Sequence, residues 1–522
     1  MTSAVEAGRS SSVGTAPQLG CEFPVQHTAL RSVDRGEVQW LMSIFLIWLL
    51  ANVITLDRYR MPWVDEIQFA DPAIRWVSGL GFSSTVWIAQ AADAFWAGNA
   101  PLYSMLLSVW LTIFGTEAIA VRSLNLVLLG TVVGIVWWLA RTRSWVPERA
   151  ARLVLVALLL CGHGVVFSSR GRYDALGMLL FALAALAWTN PVHSQVLPGH
   201  MSALPPSAPR LHWSRRASLA ALMLIAATGP AAGLALVPAA LIYLVFALWV
   251  QGRAVFERAG AVLLGLLLGA VGLKLFLDLH GVWDAFREST SAVGLIDRGW
   301  AAKLAGLPKV YFNDKSLVLL ILVAMCLPWR ARSMQFALPL VAILPAALQL
   351  AGKFPIYYSW MVYGPLAIAV CGARLTSLIR PVVFSLGFGA VVVGLPLRLA
   401  CVGWHWAEFD SAPIEAYAQT WLRREDRLIV DFKAYYAARR HSTELFAPTA
   451  LQAMRPAERA ATTALWIRPD DLPRVVASLG GQWIQVGPIL STGHLRPGSW
   501  AQRMPEFVEQ DYSLALYRRI LN

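Results

Sequence analysis

The residues best placed to do chemistry are two adjacent acids, Asp65 and Glu66, which directly follow the first apolar run of this 522-residue sequence. Neighbouring residues on a helix point about 100° apart, so the two carboxylates are poor candidates for clasping one substrate from opposite sides. The pattern favours one acid as a base and the other as a positioning residue. The alternative is a pair of solvated loop acids, but acids beside a membrane segment favour the functional interpretation.

A short polar turn, SSRGRYDA at 168–175, carries a second set of candidates between two apolar runs. Arginine is disfavoured at the outer side of a membrane, so Arg170 and Arg172 need a reason to be there. A bound phosphate is one, because the guanidinium fork matches phosphate oxygens. Internal pairing of Asp174 with one of these arginines is an equally good interpretation.

Two further cations lie close to apolar runs. Arg122 sits one turn into a predicted membrane helix, where it either reaches the interface or contacts a ligand. Lys353 precedes Tyr357 and Tyr358, which are typical of the aromatic belt of membrane proteins. We expect Lys353 to reach a lipid phosphate, belonging either to a substrate or to an ordinary phospholipid.

The composition points to a membrane protein: 57% of residues are hydrophobic and 14% are charged, against about 25% charged in soluble domains. The net charge of +13 comes largely from short arginine clusters between apolar runs, as cytoplasmic membrane loops require. This distribution argues against nucleic-acid binding. The five cysteines show neither a disulfide framework nor a metal-like spacing.

Eleven apolar runs approach the length of about 20 residues that crosses a bilayer. They lie near 38–56, 117–140, 151–168, 175–190, 217–228, 231–250, 259–278, 315–328, 334–351, 358–374 and 381–401. Placing the arginine clusters in the cytoplasm puts the N-terminus inside and the C-terminus outside. This placement of the two termini requires that 101–115 does not cross the membrane fully, so we expect 101–115 to be a re-entrant or juxtamembrane helix on the outer side.

Three parts follow from this topology: a disordered cytoplasmic tail at 1–37, a transmembrane core at 38–403 with a first outer loop at 57–100, and an extracytoplasmic α/β domain at 404–522. In the last part, strands are predicted at 428–432, 464–467, 483–486 and 512–517, and helices at 412–425 and 470–479. The expected location is a bacterial inner membrane.

Four features in this order resemble glycosyltransferase family 39 and its relatives of the GT-C fold. They are the acid pair after the first helix, the Gly-x-x-Pro-Leu-Tyr stretch at 98–103, a Phe-Gly…Arg segment at 114–122, and the Arg…Asp turn at 172–174. The relatives include the dolichyl-phosphate-mannose–protein mannosyltransferases and the bacterial aminoarabinose transferases of lipid A. The resemblance covers about 38–370 and is strongest over 61–190.

The resemblance implies a mainly α, polytopic GT-C core that transfers a sugar from a polyprenyl-phosphate donor to a lipid, glycan or protein acceptor. It implies that Asp65 is the catalytic acid and that Glu66 is the second acid of the pair. The residues assigned to the donor phosphate are Arg122, Arg170, Arg172 and Lys353, and those assigned to substrate are Tyr103, Asp174, Tyr357 and Tyr358. No cofactor is expected; some relatives use a divalent metal, but this sequence offers no convincing ligand set.

Two positions depart from the resemblance. Relatives often have Lys where this chain has Asn99, within Gly-Lys-Pro-Pro-Leu, and again where it has Thr228, within Thr-Lys-Gly-Pro. Arg170, Arg172 and Lys353 are the cations available to compensate.

The chemistry suits these residues. A departing lipid phosphate needs cations rather than a general acid, and an incoming hydroxyl needs a base, for which we expect Asp65, with inversion at the anomeric carbon. The alternatives are a lipid or sugar transporter, disfavoured by the absence of two related halves, and a non-catalytic protein of the same fold that binds a lipid-linked sugar.

Overall fold

The computed structural model describes residues 34–58, 62–88, 90–162, 171–188, 219–225, 254–294, 301, 305, 314–327, 359–373, 380–442, 444–494, 498–499 and 512–520. Within these residues, two helices are long and apolar enough to cross a membrane, or up to four if each of two bent helix pairs forms one span. The protein is therefore a membrane protein. The predicted number of eleven crossings stays a prediction, since 231–250 and 334–351 lie outside the described residues.

The first spanning helix, α1 (Arg35–Thr55), shows why such a segment needs lipid. Asp34 caps its N-terminus by accepting a hydrogen bond from the Gly36 amide at 3.0 Å. Most of its apolar side chains point away from the protein; Ile47, for example, is 68% exposed. Its inner face is held by Trp48, whose indole N–H donates to the Leu160 carbonyl at 3.0 Å.

The other described helices are numbered in chain order. They are α2 (Val64–Val77), α3 (Leu102–Phe114), α4 (Ala118–Thr142), α5 (Arg149–Cys161), α6 (Asp174–Trp188), α7 (Ala254–Leu279), α8 (Trp283–Gly294), α9 (Lys315–Met325), α10 (Trp360–Gly372), α11 (Arg380–Val392), α12 (Leu395–Trp404), α13 (Ala412–Trp421), α14 (Tyr435–His441), α15 (Pro456–Ala461) and α16 (Leu472–Leu479).

Helix α3 corresponds to the apolar stretch 101–115, which we expect not to cross the membrane fully. Its 13 residues extend for about 20 Å, short of the roughly 30 Å of bilayer hydrocarbon. It packs along α2, and its outward face carries the exposed side chains of Val109 and Ile113. Its length therefore agrees with the expected re-entrant or juxtamembrane helix.

Residues after α12 form a sheet of short strands. The strands are β1 (Arg427–Val430), β2 (Glu444–Phe446), β3 (Ala464–Ile467), β4 (Trp483–Gln485), β5 (Leu490–Thr492) and β6 (Tyr512–Arg519). Their order is β2-β1-β3-β6-β4, and β5 pairs with β6. Strand β1 is parallel to β2 and β3, whereas β6 is antiparallel to its neighbours. The four predicted strands are confirmed, while β2 and β5, with three residues each, were not predicted.

The described residues from 412 to 520, here called the C-terminal unit, contact the first outer loop directly. The Ala447 amide donates to the Thr85 carbonyl at 3.1 Å, and the Thr449 hydroxyl donates to the Val86 carbonyl at 2.8 Å. The outer loop also reaches α8, where the Trp87 indole N–H donates to the Ser289 hydroxyl. These segments, which the sequence places outside, therefore gather on one side of the helices.

Candidate active site

The two acids of the pair point to different partners, as expected for neighbours in the first turn of α2. Glu66 is buried, with a side chain 1% exposed, and faces Arg122 of α4. The Asp65 side chain is 27% exposed, and its Oδ2 lies 3.3 Å from Nη1 of Arg172. Of the two acids, Asp65 is therefore the more accessible from outside the protein.

Glu66 is held at both carboxylate oxygens. Arg122 donates from Nε to Oε1 at 2.9 Å and from Nη2 to Oε2 at 3.1 Å, while Arg122 Nη1 donates to the Leu56 carbonyl at 2.7 Å. The Tyr436 hydroxyl adds a bond to Oε1 at 3.3 Å. A buried, bidentate pair of this kind fixes geometry, so Glu66 fits a positioning role. The described contacts of Arg122 are to protein groups; phosphate binding by Arg122 stays a prediction.

Arg172 lies between two acids. Its Nη1 faces Asp65, and its Nε is 3.1 Å from Oδ2 of Asp174. Asp174 also accepts from the Trp360 indole N–H at 3.0 Å. The predicted pairing of Asp174 with an arginine is therefore confirmed. Arg172 is 3% exposed, so its guanidinium is held in place by the protein and keeps a positive charge beside Asp65.

A glycine allows the turn before α6 to approach the acid pair. Gly171 has φ +67°, a conformation that side chains rarely adopt. A β-carbon at this position would lie 2.9 Å from Cγ of Glu66 and 3.3 Å from a methyl group of Val121. The glycine therefore brings the Arg172 backbone next to α2.

Tyr103 is fully buried in α3 and supports the same turn. Its hydroxyl donates to Oδ1 of Asn125 at 3.0 Å, and Asn125 Nδ2 donates to the Arg172 carbonyl at 2.8 Å. Through Asn125, Tyr103 thus helps to hold the Arg172 backbone in place. Contact of Tyr103 with substrate stays a prediction.

The electrostatics favour proton uptake at Asp65. Removal from bulk water raises the pKa of Asp65, and the nearby Arg172 guanidinium opposes this shift. Burial, together with the Glu66 charge, raises the pKa of Tyr436 well above its ordinary value. The Tyr436 hydroxyl therefore stays protonated and remains a hydrogen-bond donor.

One buried acid of α2 was missed from the sequence. Asp71 is fully buried and accepts from the Ser84 hydroxyl at 2.9 Å and from the Thr85 amide at 2.8 Å. The Tyr435 hydroxyl donates to its other oxygen. An acid within the apolar run of Phe69, Ala70, Ala73 and Ile74 was the available signal, because such an acid needs buried partners.

A cavity of about 270 Å³ lies between the membrane core and the C-terminal unit, and Arg122 lines it. Charged side chains of both signs line it: Asp57, Glu117, Arg122, Glu415, Lys433 and Arg440. Arg440 pairs with both Glu117 and Glu415, so it connects α4 to α13 across the cavity wall.

Four predicted site residues, Arg170, Lys353, Tyr357 and Tyr358, lie outside the described residues. Within the described part of the chain, no three His, Cys, Asp or Glu side chains are grouped as a metal would require. Asp65 and Asp174 each face the guanidinium of Arg172, and the expected absence of a cofactor stays a prediction.

No family model matches the sequence, and no curated protein matches it either. Among solved structures, ArnT from Cupriavidus metallidurans in the apo state matches with a TM-score of 0.57 at 13% identity, over 93% of this chain and 98% of that one. The same protein bound to undecaprenyl phosphate gives a TM-score of 0.56 at 13% identity, over 93% and 99%. The apo oligosaccharyltransferase of Archaeoglobus fulgidus covers 86% of this chain and 69% of that one at 12% identity, with a TM-score of 0.46 that supports no argument.

The chain therefore has the GT-C fold, the architecture of polytopic membrane glycosyltransferases to which ArnT belongs. This confirms, at the level of the fold, the resemblance found in the sequence. The match covers nearly the full length of both chains.

Proposed function

We propose that this protein is an inverting glycosyltransferase that moves a sugar from a polyprenyl-phosphate donor to an acceptor at the outer face of a bacterial inner membrane. The observation that carries the proposal is the unequal pair of acids. Glu66 has both oxygens occupied by Arg122, whereas Asp65 is partly open and has the Arg172 guanidinium beside it.

In the proposed reaction, Asp65 accepts the proton of an acceptor hydroxyl as that oxygen bonds to the anomeric carbon of the sugar. The bond from this carbon to the phosphate oxygen breaks at the same time, and its electron pair leaves with the polyprenyl phosphate. Attack from the face opposite the phosphate inverts the anomeric centre, as in inverting glycosidases.

The arginine next to Asp65 has two effects in this scheme. It keeps Asp65 ionised in the resting enzyme, because an opposite charge 3.3 Å away favours the carboxylate. At longer range, its positive charge also favours the negative charge that develops on the leaving phosphate. Arg170 and Lys353 are the proposed additional phosphate ligands, and the C-terminal unit is proposed to lie outside the cytoplasm.

The fold supports the class of donor. ArnT, which matches 93% of this chain, is bound to undecaprenyl phosphate in one solved structure. We propose that a lipid phosphate of this type carries the sugar here.

The test compares purified wild type with Asp65→Asn, using a panel of radiolabelled polyprenyl-phosphate sugars and an envelope extract as acceptor. Asp93→Asn is the matched control, because it makes the same change in the same outer loop at an exposed ion pair with Arg455. We expect transfer by wild type and by the control, and a loss of at least 100-fold in Asp65→Asn.

Two results would contradict the proposal. Retained turnover in Asp65→Asn would remove the proposed base. Binding of a donor without transfer by the folded wild type, across every donor tested, would favour a non-catalytic lipid-linked-sugar-binding protein.

A further inference from the structure

Two adjacent tyrosines of the C-terminal unit hold the helix that carries the acid pair. Tyr435 and Tyr436 begin α14, and both side chains are buried. The Tyr435 hydroxyl donates to Asp71 and the Tyr436 hydroxyl to Glu66. Both acceptors belong to α2, more than 360 residues earlier in the chain.

The spacing of the two acceptors determines what these bonds constrain. Glu66 and Asp71 are five residues apart, which is about 7.5 Å along a helix axis and about 140° around it. Arg122 already holds the Glu66 end of α2, but a second bond from the C-terminal unit at one point alone would still leave the far end of the helix free to turn. Two bonds at different heights and on different faces fix both the rotation and the axial position of the helix.

Helix α2 needs such external contacts. Pro72 lies inside it, and proline removes one backbone hydrogen bond and crowds the preceding turn. The helix has only 14 residues, and helices this short are marginal without tertiary packing. Its geometry therefore depends on the groups packed around it.

Rotation of α2 would act directly on Asp65. Asp65 lies in the first turn, next to Glu66, and its closest described charge is Arg172, on the separate turn before α6. Since Arg172 is also paired with Asp174, it would not follow a movement of α2. A small rotation would therefore change the Asp65–Arg172 distance.

Resting on the proposed function, we infer that Tyr435 and Tyr436 are positioning residues, through which the C-terminal unit sets the orientation of α2 and with it the position of Asp65. The attachment of the unit to the outer loop at Thr85 and Val86 supports the same part of the chain from the next segment. The C-terminal unit is then part of the catalytic apparatus even though it supplies no reacting group.

The test uses the full-length double variant Tyr435→Phe/Tyr436→Phe, which removes both hydroxyls and keeps both rings. Tyr417→Phe is the matched control: its hydroxyl donates to the Pro488 carbonyl at 3.0 Å, so the same bond is lost elsewhere in the C-terminal unit. Two quantities are measured in detergent, namely backbone amide hydrogen exchange over 64–77 and the kinetics of sugar transfer.

We expect exchange over 64–77 to rise at least 10-fold in the double variant and to stay within 2-fold of wild type in the control. We expect kcat to fall 10- to 100-fold in the double variant, with the donor KM within 3-fold. A merely structural role would instead lower the amount of folded enzyme, leaving the kcat of the folded fraction unchanged and raising exchange throughout the chain rather than selectively over 64–77.

The two readouts separate this inference from the function on which it rests. Unchanged exchange over 64–77 in the double variant overturns the inference, whether or not the wild type transfers sugar. If exchange over 64–77 rises in the double variant but the wild type transfers no sugar, the contact of α14 with α2 is supported, and the result counts against the proposed function alone.

Discussion

The Glu66–Arg122 pair gives the strongest prediction for stability. Its side chains are 1% and 6% exposed, and two hydrogen bonds join them. Removing one member of a buried pair leaves an unpaired charge and costs about 3–5 kcal/mol. We therefore expect Arg122→Met to lower the free energy of unfolding by that amount, and Glu66→Gln by somewhat less, because the amide keeps one acceptor.

The double variant Glu66→Gln/Arg122→Met leaves no buried charge at this position. We expect it to cost little more than the worse single variant, which gives an interaction energy of about 2–3 kcal/mol in a double-mutant cycle. The exposed Arg427–Glu444 pair is the control: its distance is 2.9 Å, the same as that from Arg122 to Glu66, but its side chains are 48% and 50% exposed. Exposed pairs give about 0.2–1 kcal/mol.

The cycle is measured by equilibrium unfolding in mixed detergent micelles, followed by tryptophan fluorescence. The buried pair also has a second hydrogen bond, so the comparison measures the combined effect of burial and bidentate contact. An interaction energy of the buried pair below about 0.5 kcal/mol, which is the scatter of independent sites, would refute the reasoning.

Two further predictions concern pH and helix packing. Burial raises the pKa of Asp65, and a base must be ionised to act, so the rate of transfer should fall as the pH falls through that raised pKa. Arg172→Met removes the opposing positive charge and should move the acidic limb of the kcat/KM profile to still higher pH. An acidic limb that stays in place or shifts to lower pH would contradict this. Gly394→Ala should destabilise the folded protein by several kcal/mol, because the new β-carbon would overlap the Cys161 carbonyl oxygen. The control is Gly403→Ala in α12, where a β-carbon would have no neighbour within 4 Å. Unfolding titrations should show that this control changes the free energy of unfolding by less than about 1 kcal/mol.

Sequence reasoning located the acid pair because local rules apply to it. The apolar run that precedes Asp65 and Glu66 indicates a membrane surface, and helical geometry separates the two side chains. The divergence of the pair, with Glu66 facing Arg122 and Asp65 facing Arg172, agrees with that argument.

The partners of the acids could not be predicted in the same way. Arg122 is 56 residues from Glu66, and Tyr436 is 370 residues from it. No spacing rule connects residues that only tertiary packing brings together. The short strands β2 and β5 were missed for a related reason: three residues are too few to show an alternating pattern.

The cavity between the membrane core and the C-terminal unit has a pharmacological consequence. Arg122 and Tyr436 both line it, and these are the two side chains that hold Glu66. A zwitterionic compound lodged there would compete for the charged lining and separate α14 from α2. Such a compound would lower the maximal rate at every concentration of donor, and added lipid-linked sugar would not overcome it.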